Sequence, residues 1–119
     1  MRKDLIFGTS VVESLPAGTT TGNGTAVDGL RTYAQKHIVS CDVFTATITL
    51  KLEESDSSGS GYTDVPAAQM IGGVNALVIG ATGEFQIAGF DLKQFQRLVY
   101  VSGTGTVSAV AVLADNLSV

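Results

Sequence analysis

The clearest pattern in the chain is a regular alternation of apolar and polar side chains between Val43 and Glu54. One side of the segment carries an apolar row, and the other carries mainly threonines together with a lysine and a glutamate. The apolar row is Phe44, Ala46, Ile48, Leu50 and Leu52. Successive side chains of a β-strand point to opposite faces, so a period of two predicts a strand with one face on the core. A one-residue slip would expose the whole row, which fixes the register. We expect a central or near-central strand of an antiparallel sheet.

Shorter β-like segments, separated by glycine-rich stretches, fill the rest of the chain. Glu84 to Phe90 alternates in the same way, and Tyr62 to Val65 is a return strand after the Ser/Gly-rich loop 55–61. Turns at intervals of about 8–12 residues are typical of β-sandwiches and barrels. We therefore predict an all-β fold, an antiparallel β-sandwich of about eight strands with little or no helix. The prediction is one domain spanning 1–119, with a short N-terminal arm at about 1–8.

The last part of the chain adds two strands and a connection. Val107 to Leu113 is apolar on both faces, which predicts that both are covered, either by the fold or by a neighbouring subunit. Phe95 to Val101 is the strand before it. Gly103-Thr104-Gly105 is predicted to be a β-turn between the two, because glycine accepts positive φ. One helical turn is expected at Ala67 to Ile71, where Gly72-Gly73 would close it.

Composition narrows the class of protein. Charged residues make up 15% of the 119 residues, below the roughly 25% usual for soluble domains, which suggests that another molecule covers part of the surface. A net charge of −4 with 7 Lys plus Arg argues against nucleic-acid binding. Leu5-Ile6-Phe7 is too short for a signal-peptide core, and no segment approaches the length of a membrane span. We expect a protein made and used in a cytoplasm, or in a particle assembled there, with no membrane partner.

No recognisable motif for catalysis, metal binding or cofactor binding occurs in the sequence. His37 is the only histidine, and no GxSxG motif accompanies it, so we expect a strand histidine on a partly exposed face. The acids between Glu53 and Asp64 lack the alternation of an EF-hand loop, which favours solvated acids at a hairpin tip over a calcium site. Cys41 is the only cysteine and is expected to be a small buried hydrophobe. We expect no enzymatic activity and no cofactor.

Three stretches resemble small structural proteins of tailed bacteriophages. They are Thr21–Asp28, then Ile48–Asp56 running on to Tyr62–Pro66, and finally Arg97–Val101 with its Thr-Gly-Thr segment and apolar last strand. The most distinctive part is a strand ending in Glu-Ser-Asp, followed by a Gly/Ser loop and Tyr-Thr-Asp-Val-Pro. Among phage proteins, the chain looks most like capsid cement or decoration proteins. That resemblance implies a jelly-roll-like sandwich on the outside of the shell, forming dimers or trimers that staple major capsid subunits.

The resemblance also implies a function and predicts which residues make contacts. It implies a non-enzymatic virion protein on the capsid exterior, whose partners are the major capsid protein and further copies of itself. For the capsid contact we predict the N-terminal arm, which would add a strand to a neighbour's sheet edge, through Arg2, Lys3, Leu5 and Phe7. For self-association we predict the last strand, through Val107, Ala109, Ala111 and Leu113.

Two other functions remain open from the sequence. A carbohydrate-binding or host-recognition module of a tail or fibre would use exposed aromatics beside acids, for example Tyr62 with Asp64. A head–tail connector component would differ from a cement protein mainly in copy number.

Overall fold

All strands of the computed structural model, which describes residues 9–29 and 32–115, belong to one antiparallel eight-stranded sheet. In chain order the strands are β1 Thr9–Thr19, β2 Gly22–Asn23, β3 Val27–Asp28, β4 Thr32–Ser55, β5 Thr63–Asp64, β6 Leu77–Ile79, β7 Gly83–Phe90 and β8 Phe95–Asp115. A 3-10 helix, Ala67–Gln69, lies between β5 and β6 at the position of the predicted helical turn. The predicted all-β, antiparallel fold with about eight strands and little helix is therefore confirmed.

Two long strands form the centre of the sheet. β4 has 24 residues and β8 has 21, and they pair from Thr32–Asp115 to Ser55–Phe95. β1 pairs with the C-terminal part of β8, while β2 and β3 pair with its N-terminal part. β7 pairs with the N-terminal part of β4, and β6 and β5 pair with its C-terminal part. The sheet thus has a first layer (β1, end of β8, start of β4, β7) and a second layer (β2, β3, start of β8, end of β4, β6, β5).

The two layers are joined by a bend in both long strands. The register between β4 and β8 shifts repeatedly between Cys41 and Leu50, and such bulges bend a strand sharply. On β8, Gly103 and Gly105 have φ of 121° and 153°, and a Cβ on Gly103 would overlap the backbone of Ile48. The predicted turn at Gly103-Thr104-Gly105 is therefore wrong. The strand continues through this segment, because the glycines permit both the bend and the close approach of β4.

The core lies between the layers and takes side chains from both. Its first-layer members include Val39, Cys41, Ile87, Val107 and Ala109, and its second-layer members include Ile48, Leu50, Leu52, Ile79, Leu98 and Tyr100. The prediction for Val43 to Glu54 is confirmed for the buried Ile48, Leu50 and Leu52. Phe44 packs against the core, whereas Ala46 is exposed because the bulges interrupt the alternation. Cys41 is buried, as predicted.

No helix within residues 9–29 and 32–115 is long and apolar enough to cross a membrane.

Candidate interaction surface

The outward side of the first layer carries an apolar surface, which we call the outer face. Opposite residues on paired strands share a face, and the register places Ile38 beside Val110 and Lys36 between Val112 and Ala88. Two shallow grooves of about 330 and 260 Å³ run over this surface. Its apolar side chains are Val11, Ile38, Ile71, Ala88, Val110 and Val112. Val11 and Ile71 are exposed, and the remaining four are half-buried.

Charged side chains lie at the two ends of the outer face. Lys36 is exposed at one end, in the row of Val112 and Ala88. Glu84 is exposed at the other end, directly opposite Ser40, and Glu13 lies at the edge beside Val110. Across the described parts of the chain, neither Lys36 nor Glu84 forms an ion pair. The outer face is thus an apolar centre with Lys36 at one end, Glu84 at the other end and a second carboxylate, Glu13, at its β1 edge.

The residues predicted for self-association lie on the opposite side of the same strand. Val107, Ala109, Ala111 and Leu113 are all buried between the layers, at most 5% exposed. They pack against the core of their own chain and are not a surface that a second copy can contact. The prediction that this strand is covered on both faces holds for this inner row. The outer row, which includes Val110 and Val112, is only partly covered within the described chain.

The residues predicted to contact the capsid, Arg2, Lys3, Leu5 and Phe7, lie outside the described residues, as does the whole arm 1–8. Their role therefore stays a prediction. The described chain begins with β1, which pairs with β8 along one side only and so forms an edge of the first layer.

A buried polar cluster lies in the interior, with members from strands of both layers. His37 and Ser14 are fully buried, and Nδ1 of His37 lies 3.0 Å from Oγ of Ser14. Gln35 and Gln96 are also buried, and a Cβ on Gly29 would overlap their amide groups. Within the described ranges, Nε2 of His37 and Oε1 of Gln96 have no hydrogen-bond partner. The prediction that His37 lies on a partly exposed face is wrong, because this part of β4 turns Gln35, His37 and Val39 inward.

Burial determines the protonation state of His37. It lowers the pKa of the imidazole from 6.5 to about 4, so the ring is neutral at physiological pH. Ser14 Oγ can accept a hydrogen bond from an N–H on Nδ1, whereas an N–H on Nε2 would have no acceptor, which favours the Nδ1 tautomer. The ring is closed to solvent and no carboxylate contacts it among the hydrogen bonds and ion pairs of the described chain, so the pair is not arranged as a hydrolytic triad.

A second polar cluster lies on the outward side of the second layer, around the predicted hairpin. Glu53 accepts two contacts from Arg97, 2.9 Å from Nε and 2.8 Å from a terminal guanidinium nitrogen, both to Oε1. The Arg97 guanidinium carbon lies 4.0 Å from the centroid of the Tyr62 ring. Burial raises the pKa of the Tyr62 hydroxyl, which donates a hydrogen bond to the carbonyl of Ser58 at 2.9 Å.

The remaining acids of the hairpin are engaged in ways that differ from a cation site. Asp64 pairs with Lys51 at 2.7 Å, and this hydrogen bond raises the pKa of Lys51. Glu54 is buried and accepts a hydrogen bond from the backbone N–H of Lys93 at 3.0 Å. Within the described residues, no group of three or more His, Cys, Asp or Glu side chains is arranged to hold a metal ion. The expected solvated tip thus includes side chains that join the hairpin to β8 and to the segment before it.

Comparison with known proteins finds a shared fold. No family model matches the chain, and no curated protein matches it. Among solved structures, the crystal structure of the SPBc2 prophage-derived protein YomS is similar, with a TM-score of 0.61. The similarity covers 88% of this chain and 91% of that chain, at 16% sequence identity. At this identity, the comparison establishes a common architecture over nearly the whole of both chains.

Sequence reasoning did not find the outer face or the buried polar cluster. Ile38 is flanked by His37 and Val39, so local alternation does not reveal which side faces solvent. The one available signal was the strand that is apolar on both faces, which indicated a second covered surface without locating it. The contact of Arg97 with Glu53 and Tyr62 could not be predicted, because Arg97 is far from both residues in the sequence.

Proposed function

We propose that this chain is a non-enzymatic structural protein of a bacteriophage virion, which binds the outside of the capsid shell as a cement or decoration protein. It would contact major capsid subunits and stabilise the junctions between them. This is the function implied by the resemblance of the Glu-Ser-Asp hairpin and its neighbouring stretches to phage cement proteins.

The observation that carries the proposal is the shared architecture with a prophage-derived protein. The likeness to YomS extends over 88% of this chain and 91% of that one, so it involves the whole domain rather than a common hairpin. The fold is the part of the resemblance that a comparison at 16% identity supports. The phage origin in that protein's name agrees with the independent resemblance in the sequence.

The physical mechanism of a cement protein is preferential binding to the assembled shell. A protein that binds only the assembled form stabilises it by RT ln(1 + [L]/Kd), and many symmetric copies on one particle add avidity. No reaction is required, only surface that becomes covered. The chain has such surface in exposed valines, including Val43 and Val101.

The carbohydrate-binding alternative is less favoured by the surroundings of Tyr62. A sugar ring would stack on an exposed aromatic face, but the guanidinium of Arg97 already covers one face of this ring. Asp64, the acid proposed beside it, is paired with Lys51. Binding of a glycan at this place would first require these contacts to open.

Counting copies per virion by quantitative mass spectrometry tests the proposal. A copy number comparable to that of the major capsid protein is expected. A copy number comparable to that of tail or connector proteins would overturn it. A glycan array should show no specific binding.

Co-sedimentation with empty capsids tests the contact directly. The full chain is expected to sediment with the shells, and a variant lacking residues 1–7 is expected to lose occupancy. Val78→Asp is a suitable control, because Val78 is 61% exposed on β6, in the second layer. Full occupancy by the truncated chain would exclude the arm as the shell contact without excluding shell binding.

A further inference from the structure

The outer face is apolar although the opposite side of the same strands already forms the core. Each neighbouring strand of the first layer turns one row of side chains inward to a filled core, yet the opposite row also carries valine, isoleucine and alanine. Antiparallel sheets that face water on one side normally alternate apolar and polar residues. Ile38, Val110 and Val112 break this rule at the centre of the layer, on β4 and β8, which are its two inner strands.

We propose that the outer face binds the outer face of a second copy of this chain, forming a two-fold symmetric dimer of stacked sheets. A two-fold interface brings the same surface of both copies together, so it must be complementary to itself. The outer face meets that requirement, because Lys36 and Glu84 lie on opposite sides of the apolar pair Ile38 and Val110, while Glu13 lies at the β1 edge of the face.

The register gives the spacing of these charges. Lys36 and Ser40 are four residues apart on β4, about 13 Å at the usual rise of a strand, with Ile38 midway between them. Glu84 lies directly opposite Ser40 on the neighbouring strand β7. Lys36 and Glu84 are thus separated by one strand spacing as well as by about 13 Å along the strands. A two-fold axis that passes midway between them, inclined by about 20° to the perpendicular of the strands, exchanges the two positions. Lys36 of each copy then lies over Glu84 of the other, and the apolar centres of the two faces meet.

The area of the outer face indicates how tightly the dimer should associate. Four strands spaced about 4.8 Å apart, over eight residues at about 3.3 Å each, present roughly 500 Å² per copy. The total of about 1,000 Å² is near the lower limit for a specific interface. The dimer is therefore expected to dissociate in the micromolar range rather than to be obligate.

Charge reversal combined with sedimentation velocity tests the inference. Lys36→Glu replaces two attractive contacts by two repulsive ones, and it is expected to raise the dissociation constant about tenfold. Glu84→Lys should have a similar effect. The double variant K36E/E84K restores opposite charges and is expected to return within about threefold of the wild-type value. Both positions are exposed, so none of these changes disturbs the core.

A substitution in the apolar centre gives a second, independent measurement. Val110→Asp would bury unpaired charge at the interface, and the protein should sediment as a monomer at all concentrations tested. The matched control, Val78→Asp, places the same change on an exposed strand position of the second layer and should leave the dimer intact. Circular dichroism would establish that each variant is folded. If V110D does not fold, the charge-reversal series alone decides the question.

Three results would overturn the inference. These are a wild-type protein that is monomeric up to about 500 µM, a dissociation constant unchanged by K36E, or a double swap that fails to restore it. The inference is separate from the proposed function. A chain that remains monomeric but still co-sediments with shells would overturn the dimer and not the cement function. A chain that dimerises but does not co-sediment with shells would overturn the cement function and not the dimer.

Discussion

Nδ1 of His37 lies 3.0 Å from Oγ of Ser14, and both side chains are fully buried, at positions 23 residues apart in the chain. The contact ties β1 to β4, two strands that do not pair with each other because β8 lies between them. No acceptor is available at Nε2 within the described residues, so a second proton on this ring would be a buried charge without a hydrogen bond.

Acidification should therefore destabilise the fold through His37. Burial holds its pKa at about 4 in the folded chain against 6.5 when exposed, so the unfolded chain binds more protons between these values. The contribution of neutral His37 to the unfolding free energy is fully present above pH 6.5 and is lost as the pH falls toward 4. Between pH 7.5 and 5 the loss due to this one group is about 2 kcal/mol. Urea unfolding across this range measures it.

The variant His37→Gln isolates the contribution of the imidazole. Glutamine does not titrate, so the decrease in unfolding free energy between pH 7.5 and 5 should be smaller by about 2 kcal/mol. The variant is also expected to be less stable at pH 7.5, because the Ser14 contact changes. An identical pH slope in both proteins would show that His37 is solvated or paired in solution.

The bend of β8 makes a second prediction. Gly103→Ala would force a side chain into a backbone with φ of 121° and against the backbone of Ile48. Such strain and overlap should lower the unfolding free energy by about 2–4 kcal/mol. Gly80→Ala is the matched control, because a Cβ added at Gly80 would meet nothing within 4 Å and the φ of this residue is not positive. Equal effects of the two substitutions would contradict the described bend.

The bend also indicates how far the sequence could predict this fold. The alternation of apolar and polar residues predicted the β-strands and the buried row of Ile48, Leu50 and Leu52, because a period of two can be read from neighbouring residues alone. A glycine pair such as Gly103 and Gly105 is compatible with both a turn and a bulged strand. The choice depends on whether β4 approaches closely, and that is a contact between residues more than fifty positions apart.

The interior of the first layer was harder to predict for a related reason. Here the polar Gln35 and His37 point inward and the apolar Ile38 points outward, which reverses the usual rule. Polarity alone therefore assigns the faces wrongly. The deciding facts are the Ser14 contact and the pairing of Ile38 with Val110, both of which follow from tertiary structure.

The contact of Arg97 with Glu53 and Tyr62 should stabilise the hairpin measurably. The side chains of Arg97 and Glu53 are 24% and 13% exposed, so solvent screens the pair less than an ordinary surface ion pair. Arg97→Ala is expected to cost about 1–2 kcal/mol. Arg97→Lys should recover only part of this, because lysine keeps the charge but lacks the planar fork.

Lys93→Ala provides the control for the loss of a positive charge. Lys93 is exposed, and its described contacts involve only its backbone N–H and carbonyl, so the change should be within about 0.5 kcal/mol. Chemical denaturation of the three variants gives the comparison. If R97A were no more destabilising than K93A, the guanidinium contacts would not persist in solution.

The side chain of Asn75 replaces a missing strand partner beside Leu52. Its Oδ1 accepts the N–H of Leu52 at 2.9 Å, and its Nδ2 donates to the carbonyls of Leu52 at 2.9 Å and Val65 at 3.0 Å. These contacts fall between the short pairings of β4 with β6 and with β5. Asn75→Asp removes both donated hydrogen bonds and sets a carboxylate against two carbonyl oxygens. The unfolding free energy should fall by roughly 2 kcal/mol or more.

Asn23→Asp, at an exposed position on β2, introduces the same charge and should have little effect. Amide hydrogen exchange should report faster exchange at the N–H of Leu52 in N75D but not in N23D, and equal exchange in both would show that Asn75 does not hold this edge.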